Sequence, residues 1–82
     1  MISIVLLNLL RSKYGVASES VLPGTVASAL DQLIARHPEM RRKDFEDAVL
    51  FVNGVRIDRV NRLEAVLRDG DEVVFTHFVG GG

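Results

Sequence analysis

The sequence predicts a two-layer α+β domain, with one main helix packed on one face of a mixed sheet of four to five strands. Only one stretch carries sustained helical spacing, and a lone helix must bury its apolar stripe against another layer. Several short apolar segments instead read as strands bounded by turn residues. The first and last of these are the most apolar, which places them together at the sheet centre as a parallel pair buried on both faces. The 82 residues suffice for one domain with a modest core, drawn from an apolar content of 48%.

Each element has its own justification. Ile2 to Leu9 is a continuous apolar run, and "RSKYG" breaks it. Val16 to Leu22, more polar, returns as the second arm of a hairpin with a long loop. Pro23-Gly24 turns the chain, and Thr25 can cap a helix by accepting an orphan backbone N–H. Val26, Ala29, Leu30, Leu33 and Ile34 form its apolar face, and Pro38 stops it near His37. "EMRRKDFED" is a charged connector without a period. Ala48 to Val52 and Val55 to Ile57 flank Asn53-Gly54, a type I′ hairpin signal. A short link follows, with one helical or 3₁₀ turn around Leu63. Asp69-Gly70 then turns the chain into a last strand, Glu72 to Thr76. That order is a β-grasp, or ubiquitin-like, arrangement.

Composition excludes several functions. No cysteine is present, so there is neither a disulfide framework nor a thiolate metal site. A net charge of −1 gives no electrostatic footprint for nucleic acid or an anionic membrane. The opening "MISIVLLNLL" is too short to span a bilayer and lacks the basic flank of a signal peptide, so a cytoplasmic protein is expected. His37 and His77 have no cluster around them, and no metal site is expected. His37 belongs at a helix C-terminus, and His77 at a solvated strand end with a partner contact as the alternative. Asp69, Asp71 and Glu72 have turn spacing rather than an acid–base arrangement. Arg56, Arg59, Arg62 and Arg68 read as a solvated edge. Among the aromatics, strand alternation sends Phe75 one way and Phe78 the other. The helix covers one face only, so Phe75, Phe78 and the adjoining Val79 are docking candidates, unless twist and the connector cover them.

The chain closes on "DGDEVVFTHFVGGG". Gly80, Gly81 and Gly82 add no core, and ordering them loses more entropy than packing returns. Residues 1–79 are therefore assigned to the domain and 80–82 to a thin C-terminal arm. A frayed terminus is the plain alternative. The chemical one is that a carboxylate on an arm without Cβ atoms can enter a narrow channel of another protein. A carboxylate becomes a useful electrophile when ATP converts its oxygen into a leaving group as an acyl-adenylate. "LPGTV" lacks the spacing of a phosphate-binding loop, so another protein would hold the nucleotide.

The β-grasp order, the "NG" hairpin, "DGDEVVF" and the terminal glycines together resemble the small sulfur-carrier family. Its members include the small subunit of molybdopterin synthase and the thiamine-pathway sulfur carrier, and the length favours the molybdopterin type. Members of that type often end in a pattern like Phe-x-Pro-Pro-Val-small-Gly-Gly. Here Phe75, Val79, Gly80 and Gly81-Gly82 fit, while His77 and Phe78 stand in the proline positions. The resemblance implies that an E1-like enzyme using ATP and Mg²⁺ adenylates Gly82, which a sulfurtransferase-fed step converts to a thiocarboxylate. It further implies delivery into the large catalytic subunit of molybdopterin synthase, this chain binding no cofactor and being no enzyme by itself. A carrier for cysteine, thiamine or tRNA thiolation is an alternative. So are a ubiquitin-like modifier, which would itself offer only Lys13 and Lys43 as acceptors, and an inert interaction module.

Overall fold

The structure is a computed structural model that describes residues 1–77. The expected arm (Gly80, Gly81, Gly82), its boundary at residue 79, and the docking candidates Phe78 and Val79 lie outside the described residues.

Strand β1 (Ile2–Leu7) ends where Asn8 takes a left-handed φ of 54°. Asparagine tolerates that conformation better than other side-chain-bearing residues. The chain then coils into α1 (Asn8–Tyr14), closed by Gly15 at φ 69°, whose N–H donates to the Arg11 carbonyl at 2.8 Å. This corrects the expectation of a strand reaching Leu9 and a loop over "RSKYG". Leu9-Leu10 continues the apolar run in sequence, but Leu10 reaches the core from a helix.

Strands β2 (Ser18–Val21) and β3 (Gly24–Thr25) lead into α2 (Val26–Arg36). Thr25 caps α2 as expected, and Ser28 reciprocates: the Ser28 N–H donates to Thr25 Oγ1 at 3.1 Å and the Thr25 N–H to Ser28 Oγ at 3.0 Å. Val26, Ala29, Leu30 and Leu33 are buried along one stripe. The charged connector is not structureless, as α3 (Arg42–Glu46) forms inside it. Phe45 supplies the reason. It is fully buried, its ring stacked 6.0 Å from Tyr14 and edge-on 5.3 Å from Phe75.

Strands β4 (Val49–Val52) and β5 (Val55–Ile57) make the expected hairpin, with positive φ at both Asn53 and Gly54. A 3₁₀ turn (Arg62–Glu64) precedes β6 (Val66–Leu67), which pairs with β3 in a small second sheet. The last strand is β7 (Glu72–His77).

The main sheet has five strands in the order β2-β1-β7-β4-β5. The first and last strands are parallel neighbours at its centre, from Ser3↔Glu72 to Leu7↔Thr76, and the other pairs are antiparallel. Ile2, Ile4 and Leu6 of β1, Val73 and Phe75 of β7, and Leu50 of β4 are buried on the helix-covered face. The topology is that of a β-grasp domain. No helix among the described residues is long and apolar enough to cross a membrane.

Candidate functional site at the end of the last strand

The chemistry expected of this chain depends on how β7 ends, because residues 78–82 begin there. Backbone pairing thins at that point. The β4 ladder stops at Val49↔Thr76, and on the other side a single parallel bridge, Asn8↔His77, extends the β1 pairing. Side chains secure the strand instead. On the open face Asn8 Nδ2 donates to Thr76 Oγ1 at 2.6 Å, which leaves Thr76 almost fully buried. On the helical face His77 Nε2 lies 2.8 Å from the Asp44 carbonyl oxygen. A carbonyl only accepts, so Nε2 carries the hydrogen.

Asp44 is the junction of this region. Its carboxylate accepts from Lys13 Nζ at 2.8 Å and from the Tyr14 hydroxyl, and the Arg41 N–H donates to that hydroxyl at 3.0 Å. Helices α1 and α3 are thereby joined into a collar beside the strand end. The Lys13 ammonium, followed by the Tyr14 hydroxyl, holds the Asp44 carboxyl below the usual carboxylate range, and Asp44 raises Lys13 in return. Exposed ion pairs are screened by water and contribute little, so the packing of fully buried Phe45 beneath the collar carries more of its stability than the Lys13 pair. Leu9, Leu10, Lys13, Asp44 and His77 line a shallow cavity of about 210 Å³ at the collar's edge. His77 is thus half-buried and bonded rather than at a solvated strand end, and nothing in the local sequence announces its partner.

The start of β7 is held differently. Asp71 accepts from the Arg68 N–H at 2.7 Å and from Asn53 Nδ2 at 2.9 Å. The Glu72 N–H donates to Asn53 Oδ1 at 2.9 Å, and the Asn53 N–H to the Glu72 carbonyl at 2.8 Å. The backbone N–H of Arg68, then the Asn53 amide, lowers the Asp71 carboxyl. Asp69 pairs with the N-terminal amine. Of the acidic trio, Asp71 therefore does turn work with its side chain, as expected, while Glu72 joins through its backbone.

Phe75 requires a correction. Its exposure is 1%, and it packs on Phe45 and within the core. It is unavailable for docking because β7 presents Val73, Phe75 and His77 to the helices and Glu72, Val74 and Thr76 to the other face. The open face instead carries half-buried Val5, Val74 and Phe51 in register, with exposed Arg56 opposite Phe51.

Arg62 is the second correction. It is 4% exposed rather than part of a solvated edge. Its guanidinium donates to the carbonyls of Ala48, Glu46 at 3.2 Å and Ile57 at 3.0 Å, pinning the 3₁₀ turn to the end of α3 and to β5. Burial, then repulsion from Arg59 and Arg56, lowers its pKa. Arg59, by contrast, is exposed and pairs with Asp47 at 2.6 Å. His37 caps α2 as expected and reaches Glu19 at 3.1 Å. Among the described residues no group of three or more His, Cys, Asp or Glu side chains is placed to hold a metal ion.

A central parallel pair made from the first and last strands, with one long helix across the sheet, defines a ubiquitin-like domain. The ThiS family matches residues 4–82, and the chain belongs to that family. Its fold is that of the ubiquitin-like sulfur carriers. Comparison with curated proteins gave no match. Among solved structures, the small archaeal modifier protein 1 of Methanosarcina acetivorans is 23% identical with a TM-score of 0.79, the alignment covering 99% of this chain and 95% of that one. The BexX/CysO complex of Amycolatopsis orientalis contains a chain 21% identical, with a TM-score of 0.75 and 100% of both chains covered. The complex of subunits 1 and 2 of the molybdopterin-converting factor from Helicobacter pylori contains one 16% identical, with a TM-score of 0.66 and coverage of 99% and 97%. Likenesses at these identities establish the fold.

Proposed function

We propose that this chain is a sulfur carrier charged at Gly82, acting in molybdopterin biosynthesis as the small subunit of a two-subunit synthase. The observation that carries the reading is that the family match runs through residue 82, taking in Gly81 and Gly82 beyond a completed ubiquitin-like domain. The Gly82 carboxylate oxygen attacks the α-phosphorus of ATP within an E1-like enzyme that also holds Mg²⁺, and pyrophosphate leaves. Hydrosulfide, or its equivalent from a sulfurtransferase, adds to the acyl carbon. AMP departs with the former carboxylate oxygen, leaving a thiocarboxylate and a released proton. The large catalytic subunit then receives the arm; the thiocarboxylate sulfur displaces an oxygen leaving group from a carbon of the pterin precursor, and water hydrolyses the resulting thioester, leaving the sulfur on the product and restoring the Gly82 carboxylate. The chain is a rechargeable co-substrate in this cycle, acting in the cytoplasm without nucleic acid or membrane.

The test is the intact mass of the chain after incubation with ATP, Mg²⁺, sulfide and the host's E1-like enzyme. Exchange of one oxygen for sulfur, localised to Gly82 by sequencing the C-terminal peptide, is the expected result. Deletion of Gly82, or one residue appended after it, abolishes the exchange. An unmodified wild-type chain under these conditions overturns the reading. Sulfur delivered to a different acceptor transfers the carrier to another pathway. Isopeptide adducts at target lysines would instead make it a protein modifier.

A further inference from the structure

We propose that His77 is a positioning residue for this terminal chemistry: its imidazole fastens the end of β7 to the α1–α3 collar and so fixes the point from which residues 78–82 start. The proposal rests on the carrier reading above. A strand end that loses its ladder frays, because the backbone N–H and C=O groups of the last residues gain as much from water. Here the β4 ladder ends at Thr76, and His77 keeps a single backbone bridge, to Asn8. Two side chains replace what the ladder gives up, one on each face of the strand. Asn8 Nδ2 holds Thr76 Oγ1 on the open face, and Asp44 O accepts from His77 Nε2 on the helical face.

The acceptor is well fixed. Asp44 sits on α3 with its carboxylate held by Lys13 and Tyr14 of α1, so the imidazole is tied to two elements through one residue. His77 also occupies the position where the family pattern places a proline. A proline would fix φ by its ring. The imidazole instead ties the strand end to Asp44 by a side-chain hydrogen bond, and the residue keeps the backbone N–H that a proline lacks. An arm whose root is fixed presents its tip to an enzyme from a narrower set of positions, so less orientational entropy is lost on capture.

Adenylation by the host's E1-like enzyme, followed by pyrophosphate release, separates this role from a purely structural one. His77→Phe keeps the ring and removes the donor. It is expected to raise the KM for the chain about 3- to 10-fold, the range for one lost hydrogen bond, with kcat held within about twofold, as for binding energy shared by ground and transition states. His77→Gln, whose amide N–H can reach the same carbonyl, restores a KM near the wild-type value. Thermal melting checks that each variant is folded. If His77→Phe does not fold, Tyr14→Phe loosens Asp44 from the opposite side and must raise KM in the same direction. A folded His77→Phe chain with wild-type KM overturns the positioning role while leaving the carrier reading intact. A loss confined to kcat overturns it as well, by placing His77 in the chemistry. A wild-type chain that is never adenylated removes the carrier reading, and this role falls with it.

Discussion

The two ends of β7 are built by different means. At its start, the "NG" turn and the "DGDE" turn interlock: Asn53 and Asp71 each use their side-chain oxygens to satisfy backbone N–H groups of the other turn or their own. At its end, the partners are Asn8, on the turn out of β1, and Asp44, on a five-residue helix. One end is closed by residues selected for backbone conformation, and the other by a collar that exists only once the core has formed. The start is therefore expected to tolerate changes in the core that would free the end.

The largest effect that would break this contrast is removal of the collar's foundation. Phe45→Ala leaves a cavity between Tyr14 and Phe75 and is expected to lose about 3–5 kcal/mol in urea unfolding. Amide exchange should accelerate at the end of β7 before its start. Equal acceleration at both ends would show that the strand responds as a single unit. Arg62→Ala comes next. It strands the carbonyls of Glu46, Ala48 and Ile57, and a loss of about 2–3 kcal/mol is expected by thermal or urea unfolding. Asn53→Ala acts on the other end. It removes the Glu72 and Asp71 bonds and places alanine at φ 50°, for an expected loss of about 1–2 kcal/mol. Asn53→Gly, which keeps the φ, should be the milder of the two.

The smallest effect sharpens the contrast by pH and salt. Asp44, Asp71 and Glu19 all have lowered carboxyl pKa values: Asp44 by Lys13 first, Asp71 by the Arg68 N–H first, and Glu19 by His37 first. Each contributes stability that is present above the unfolded carboxylate pKa, near 4, and is lost as pH falls through the lower folded value. Melting temperature should therefore fall below about pH 4. Salt should discriminate between the ends. Asp44 depends on the exposed ammonium of Lys13 and is screened, whereas the bonded donors of Asp71 are a backbone N–H and a neutral amide and are not.

The same division explains what could be read from the sequence. Thr25 as a cap, Asn53-Gly54 as a turn and the central parallel pair all follow from residue-level preferences or from apolar strength. α1 could not be read, because Leu9 and Leu10 extend the strand's apolar run and the break rests on a single asparagine at positive φ. α3 could not be read either, since five residues are too few to show a period, and Phe45 becomes a core residue only beside Tyr14 and Phe75. The burial of Phe75 and of Arg62 escapes the sequence for related reasons. Alternation assigns residues to opposite faces but does not say which face the helices cover, and an arginine looks solvated until several carbonyls converge on it. Of the candidate site, the family pattern identifies the glycines, whereas the clasp around His77 depends on neighbours more than thirty residues away in the chain.

The adjacency of β1 and β7 also bears on how the molecule comes into being. Synthesis is vectorial, and β1 leaves the ribosome long before the strand that will become its central neighbour. Contacts such as Ile4↔Val73 and Leu6↔Phe75 span most of the chain, so the sheet centre cannot close until β7 has been made. Nascent chains cut short before β7 would leave their apolar first strand paired only with β2 and its central edge open, a state exposed to proteolysis. Folding thus acts as an inspection: it is completed only by chains that have been translated nearly to the glycines.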